Sequence, residues 1–345
     1  MKKVFLAIAL LLFVFAPSRA QKQEKQYELY GVAFYNLENM FDTLHDSGKN
    51  DFEYLPTGAM KWGTMKYTHK LKNMSEVLSQ LATDKLPMGA AVIGMSEVEN
   101  RNVLQDLLKQ PALANRGYQI VHYEGPDRRG VDCAFFYNPT LFKLQDSKLV
   151  PYVYENNDTT YKTRGFLVMG GQMAGEHCYF IVNHWPSRAA ESWARERGGA
   201  QVRVVKDSLL QVDPKAKIFI MGDMNDDPFD KSMSVSLGAK RKAADCKDND
   251  LFNPWWDTLV DKGIGSLQYK GKWNLFDQIV FTGNLLGSDR STLKFWKNEV
   301  FMRDYLFQQD GKYKGYPKRT HAGGVWLDGY SDHLPTVVFL VKESK

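Results

Sequence analysis

Nine short segments rich in β-branched and aromatic residues recur between residues 28 and 341, and they restrict the chain to folds built on packed β-sheets. They cover 28–36, 90–96, 118–124, 131–137, 164–169, 178–184, 217–222, 276–282 and 335–341. Helical stripes lie between them. Leu71, Met74, Leu78 and Leu81 step by three and four, as one face of a helix does. Val202, Val205 and Leu209 repeat the step on a charge-rich segment that begins near Ala189. Strands mixed with helices, with both tight and long connections, predict two packed sheets with helices outside, a mixed α/β (α+β) chain. No repeat and no low-complexity linker divides it, so residues 21–345 read as one domain. The long polar stretches 42–68 and 284–330 read as surface excursions of that domain.

The first twenty residues stand apart. Met1-Lys2-Lys3 precedes an apolar run from Val4 to Ala16, then Pro17-Ser18-Arg19-Ala20. A basic start, an apolar stretch and small residues at the end spell a signal peptide over 1–20, with export to the periplasm or the medium. The run is short for a membrane span, and no Cys near Ala20 offers a lipid site, so no stable membrane anchor is expected. The formal charge of +5 falls to about +2 once Lys2, Lys3 and Arg19 leave. That excludes a protein that grips nucleic acid by charge alone. Three cysteines are too few for a disulfide scaffold and allow one bridge at most. Cys133 and Cys178, inside strand-like runs, read as buried thiols.

Chemistry gathers at the ends of these strands. Ile218 to Met221 leads into Gly222-Asp223-Met224-Asn225-Asp226-Asp227. Asp223 and Asn225 share one face there, and a carboxylate beside a carboxamide can orient a water and bind a phosphoryl oxygen. The plainer reading is an Asx-rich turn before a helix near Phe229. Ile93-Gly94-Met95-Ser96 ends in Glu97, with Glu99 two residues on. A carboxylate so placed suits a hard metal, or else caps the following helix. Val182 leads to Asn183, His184 and Arg188, and Phe34 leads to Asn36. Asp332 and His333 stand just before the last strand, where a plain turn is the other reading. Five separate strands carrying groups suited to metal or phosphate point to one rigid site.

In order along the chain, the strings YNLEN, MSEVEN, VNHWPSR, GDMND, LFDQIV and YSDHLP resemble the endonuclease/exonuclease/phosphatase superfamily, in its deoxyribonuclease-I-like form. They span residues 34–335. The resemblance implies a four-layer sandwich of two mixed sheets flanked by helices, and divalent-metal-dependent hydrolysis of a phosphate ester. It implies Glu97 as principal ligand of Mg²⁺ or Mn²⁺, with Asn36 and Asp332 beside it. Asp223 would orient or deprotonate the attacking water, and Asn225 would hold the phosphate. Asp277 would orient His333 against the phosphoryl oxygens. His184, with Asn183 before it, would act as general acid or phosphate ligand.

Arg129, Arg164 and Arg188 are further candidates for a bidentate phosphate clamp, each balanced by a plain structural ion pair. Asp226 and Asp227 put negative charge beside the site, which an anionic substrate tolerates only if a metal or an arginine offsets it. The segment Thr320 to Trp326 reads as a shaped wall near the cleft. Nucleic acid leads among substrates, with Trp185, Trp193, Trp255, Trp256 and Trp326 as candidate stacking surfaces or as core. A lipid or a sugar or inositol phosphate is the alternative. A non-catalytic binding module is a third reading, opposed by the intact set of acidic, amide and imidazole groups. Nothing in the sequence calls for an obligate protein partner.

Overall fold

A computed structural model describes residues 25–154 and 162–344; the signal-peptide reading of 1–20 falls outside them. Six strands form one sheet, in the order Lys294–Val300, Thr336–Glu343, Tyr27–Met40, Val92–Val98, Asp132–Tyr137 and Gln119–His122. Seven form the other, in the order Phe142–Val150, Phe166–Met173, Glu176–His184, Lys217–Asp223, Asp277–Thr282, Leu251–Phe252 and Ala239–Lys240. All nine expected segments fall on these strands.

Alternation of side chains explains the layering. Along Lys217–Asp223, Phe219 and Met221 join the large core between the sheets. Ile218 and Ile220 turn the other way, onto Val202 and Leu210 of the helix Ser192–Val212. Helices Thr64–Gln80 and Arg101–Lys109 cover the first sheet with Leu71, Met74, Leu78, Val103, Leu104 and Leu107. The result is helix, sheet, sheet, helix. Cys133 and Cys178 are buried thiols in this core, and no cysteine is bridged among the described residues.

Four strands of the two sheets escaped the periodicity reading: Ala239–Lys240 and Leu251–Phe252 are only two residues each, and the two long ones are sheet edges. Phe142–Val150 and Lys294–Val300 are half exposed along their length. Each also slips register at a bulge, at Gln145 and at Trp296. Polar residues blunt an open edge and the bulge breaks the period of two, so the apolar alternation is lost. The stretch 284–330, expected as a surface excursion, therefore contains a strand.

The topology aims the chemistry at one end. Tyr27–Met40 runs parallel to Val92–Val98, and Glu176–His184 runs parallel to Lys217–Asp223. Their C-terminal ends carry Asn36, Glu97, His184 and Asp223. Two antiparallel neighbours begin at the same end, so Asp277 faces Asp223 across the register and Thr336 faces Phe34 just after His333. Gly222 makes the close pairing feasible. A Cβ there would sit 2.2 Å from the backbone oxygen of Asn183. Gly222→Ala should therefore lower unfolding stability by about 1–3 kcal/mol, read as a shifted urea midpoint.

Candidate active site

Asp223 is the centre of the arrangement. Its Oδ2 accepts from Asn36 Nδ2 at 2.9 Å, a bond that crosses between the sheets, and its Oδ1 accepts from Asn225 N at 2.9 Å. His184 Nε2 lies 3.6 Å from Asp223 Oδ2 and 3.8 Å from Glu97 Oε1. His333 Nδ1 is bonded to Asp277 Oδ2 at 2.7 Å, and its Nε2 stands 3.9 Å from both Asp223 Oδ2 and Asp332 Oδ1. Ser266 donates to the same Asp277 oxygen. Ser331 Oγ ties the loop down, donating to Asn36 O at 2.8 Å and accepting from His333 N at 3.1 Å.

The backbone bends sharply at these residues. Glu38, Asn39, Glu97 and Asn225 adopt φ of 49°, 56°, 60° and 51°. Non-glycine residues enter this left-handed region at an energetic cost, and such positions cluster at functional sites. Asn39 N secures one turn by donating to Glu97 Oε2 at 2.8 Å. Glu99 turns away instead. Its Oε2 accepts from Asp42 N at 2.6 Å, and burial pushes its carboxyl up to about 9. The helix after it is capped by Asn100, which accepts from Asn102 N and Val103 N. The helix-cap reading of Glu97 and Glu99 is thus replaced by a third residue.

The two histidines differ in charge. Burial lowers His184 well below the usual value, with Arg164 and Arg129 adding to the effect, so its ring is neutral. Burial also opposes charge on His333, but Asp277 and Asp223 outweigh it and hold its pKa well above the usual value. Burial raises Asp223 to about 7, against the pull of His333. A neutral imidazole and an imidazolium on either side of one carboxylate separate the acid and base roles.

A divalent cation fits the donor set at Glu97. Its Oε1 accepts no hydrogen bond among the described residues, while Oε2 is fixed by Asn39. A fixed carboxylate with one open oxygen is a hard ligand. Asp332 Oδ1, beside His333 Nε2, is a second oxygen of the same cleft. Asp223, Asp277 and His333 also lie within ligand distance of one another. There His333 Nδ1 already bonds Asp277 Oδ2 at 2.7 Å, which occupies the gap between them.

The remaining candidates separate by their partners. Arg129 faces the cleft with its guanidinium 3.9 Å from Glu97 Oε1 and about half exposed. Arg164 is buried, donating to Asp127 Oδ2 and to Trp185 O, both at 3.0 Å. It braces the chain after His184. Arg188 donates to Asn225 O at 3.1 Å, Asp227 Oδ2 at 3.1 Å and Asp230 Oδ2 at 2.8 Å. Arg195 pairs with Asp226 at 2.8 Å. Those two arginines supply the offset that Asp226 and Asp227 require. Asn183 is buried and donates to Ile181 O and Met221 O. Asn36 spends its amide oxygen on Glu38 N at 2.8 Å as well as its Nδ2 on Asp223.

Three residues of the site carried no signal of their own in the sequence reading. Glu38 accepts from Arg319 Nε at 3.1 Å and Thr320 N at 2.7 Å. Arg319 Nη2 also donates to Asp332 Oδ2 at 2.8 Å. Lys70, fully buried, donates to Thr320 Oγ1 at 2.7 Å and to Tyr330 O. Burial raises the Glu38 carboxyl and lowers the Lys70 ammonium. The alternation that places Asn36 and Glu38 on one face could have found Glu38. Lys70 and Arg319 have no local pattern. The segment Thr320 to Trp326 forms a hairpin, His321–Ala322 with Val325–Trp326. Trp326 packs edge-on against buried Trp62 at 5.8 Å.

This fold and this site define a phosphoesterase that works with a divalent metal. The chain belongs to the Endonuclease/Exonuclease/phosphatase family, whose model matches residues 31–342. Solved structures share the fold at low identity. One is ANGEL2, a 2′,3′-cyclic phosphatase, with 14% identity and a TM-score of 0.60, covering 94% of this chain and 100% of that one. Another is a mannosyl-6-phosphatase of Bacteroides thetaiotaomicron, with 16% identity and 0.55, covering 90% and 99%. A third is D. rerio TDP2 with a single-strand DNA product, with 15% identity and 0.53, covering 90% and 98%. No curated protein matches in sequence.

The His333 assignment can be measured. A raised folded pKa means the pair with Asp277 stabilises fully below the unfolded His value and is lost only as pH rises through the folded one. Imidazole NMR should show His333 still protonated above pH 7, and Asp277→Asn should shift its titration to lower pH. An unmoved titration would remove Asp277 as the cause. Glu99 is also raised, but there it is the charged form that the fold disfavours, so Glu99→Gln should raise stability, by an amount that grows from pH 5 to pH 9 in urea unfolding.

Proposed function

We propose that this chain hydrolyses phosphate esters by attack of a water that Asp223 orients, with Glu97 and Asp332 holding Mg²⁺ or Mn²⁺. The observation that carries the reading is the run of contacts under 4 Å that links Glu97 to His184, His184 to Asp223 and Asp223 to His333 at one end of the sandwich. The bound ion would neutralise charge on a phosphoryl oxygen. The chain's own groups do the rest. Asn36 and Asn225 N fix both oxygens of Asp223, which takes the proton of the water. The His333 imidazolium, held by Asp277, faces the oxygens on which charge grows. Neutral His184, between Asp223 and Glu97, donates to the phosphoryl group. Asn225 and Arg129 complete the phosphate contacts.

A phosphodiester of nucleic acid is the leading substrate, in keeping with the relative solved with a single-strand DNA product. One observation favours a second reading, a small sugar phosphate. Trp185 and Trp255, two of the five candidate stacking surfaces, are core residues, and Trp326 is packed against Trp62. Residues 1–20 support export to the periplasm or the medium.

The test is hydrolysis by residues 21–345 of plasmid DNA, RNA, bis-p-nitrophenyl phosphate, p-nitrophenyl phosphate, sphingomyelin and inositol and mannose phosphates. Each is run with Mg²⁺, Mn²⁺ or chelator. We expect metal-dependent turnover of one class, reduced about 10²–10⁴-fold in Asp223→Asn. Turnover that survives chelator, or an Asp223→Asn protein of full activity, would sink the proposal.

A further inference from the structure

Arg319 sets a guanidinium between two carboxylates of the cleft. Its Nε donates to Glu38 Oε1 at 3.1 Å and its Nη2 to Asp332 Oδ2 at 2.8 Å. Those nitrogens are neighbours on one edge of a rigid planar fork, so the two oxygens they hold lie close together. One oxygen comes from the strand Tyr27–Met40 and the other from the loop before Thr336–Glu343. Two hard oxygens brought together in this way form the start of a divalent-cation site. In this chain a side chain fills the space between them.

We propose that Arg319 is a built-in cation that takes the place of a metal ion between Glu38 and Asp332, so that the chain carries one divalent ion, at Glu97. The inference rests on the proposed role of Glu97 and Asp332 at the metal. The surroundings hold the arginine in place. Thr320, the next residue, donates its N to the other Glu38 oxygen at 2.7 Å, so a single segment clasps the carboxylate twice. Lys70 Nζ locks that segment from behind through Thr320 Oγ1 at 2.7 Å. Glu38 is only 5% exposed and each of its oxygens already accepts a hydrogen bond, so a metal would have to displace or compete with Arg319 and Thr320 for them. Asp332 keeps Oδ1 open, 3.9 Å from His333 Nε2. An arginine is charged at every pH the fold survives and does not dissociate as a metal does. Arg319 thus acts as a positioning residue: it fixes Asp332 and supplies a permanent second positive charge beside the metal.

The experiment counts bound Mn²⁺ on the metal-stripped full-length mature chain, by calorimetry and by electron paramagnetic resonance. Wild type should bind one ion with an uncoupled spectrum. Arg319→Met should bind two, with the exchange-coupled spectrum of a bridged pair, and Glu38→Gln/Arg319→Met should return to one. Glu38→Gln alone should keep one ion and weaken its binding by less than about 100-fold, the ceiling for a residue outside the coordination sphere. Two ions on wild type, one ion on a folded Arg319→Met, or a larger loss in Glu38→Gln would each overturn the inference. If Arg319→Met does not fold, the wild-type count and Glu38→Gln decide. No ion on wild type would instead defeat the metal-dependent reading itself.

Discussion

The ion pair between His333 and Asp277 joins the two sheets at the reactive end, and the rest of the site is arranged around it. His333 precedes a strand of the first sheet, and Asp277 opens a strand of the second. Asp277 is fully buried, and its contact with the imidazole is 2.7 Å. A buried carboxylate without a partner would be costly, so the sheets must meet in the register that brings this histidine to it. That register sets Asp223 opposite Asp277, and it sets the distance at which Asn36 reaches across to Asp223.

Charge is then distributed by partners. Burial alone would neutralise both histidines, yet only His184 is neutral. His333 has the charges of Asp277 and Asp223 beside it, with Asp277 also bonded to its far nitrogen, whereas the charges that act on His184 are those of Arg164 and Arg129. The same accounting applies to the arginines. Arg164, Arg188 and Arg195 are bound to acids or carbonyls and stiffen the loops that carry His184 and Asn225. Arg129 and Arg319 are about half exposed and border the cleft, each backed by a carboxylate. A site that must hold phosphate next to several carboxylates needs this balance, since unpaired acids would repel the substrate.

Strain marks the places where strands stop being strands. Glu38, Asn39, Glu97 and Asn225 all take left-handed backbone at or just past the ends of their strands. Each is held there by a bond that the fold provides, such as Thr320 N to Glu38 and Asn39 N to Glu97. The strain is local, and the packed strands behind these residues sustain it.

The sequence by itself determined the sheets, the helical stripes and the residues offered at strand ends, because those depend on side-chain period and on residue type. The nine segments and the Leu71 to Leu81 stripe were readable locally, as was the Asx turn at Asp223, whose Oδ1 accepts from Asn225 N. Bulged, polar-edged strands such as Lys294–Val300 were not, since a bulge breaks the period that reveals a strand. Partnership was decided only by the tertiary structure. Nothing near Arg319, Lys70 or Arg188 in the chain says which carboxylate or carbonyl each will meet. Those contacts span as many as 281 positions, as from Arg319 to Glu38, and arise when two sheets close on each other. An arginine becomes a brace, a phosphate contact or a fixed counter-charge according to what the fold sets opposite it.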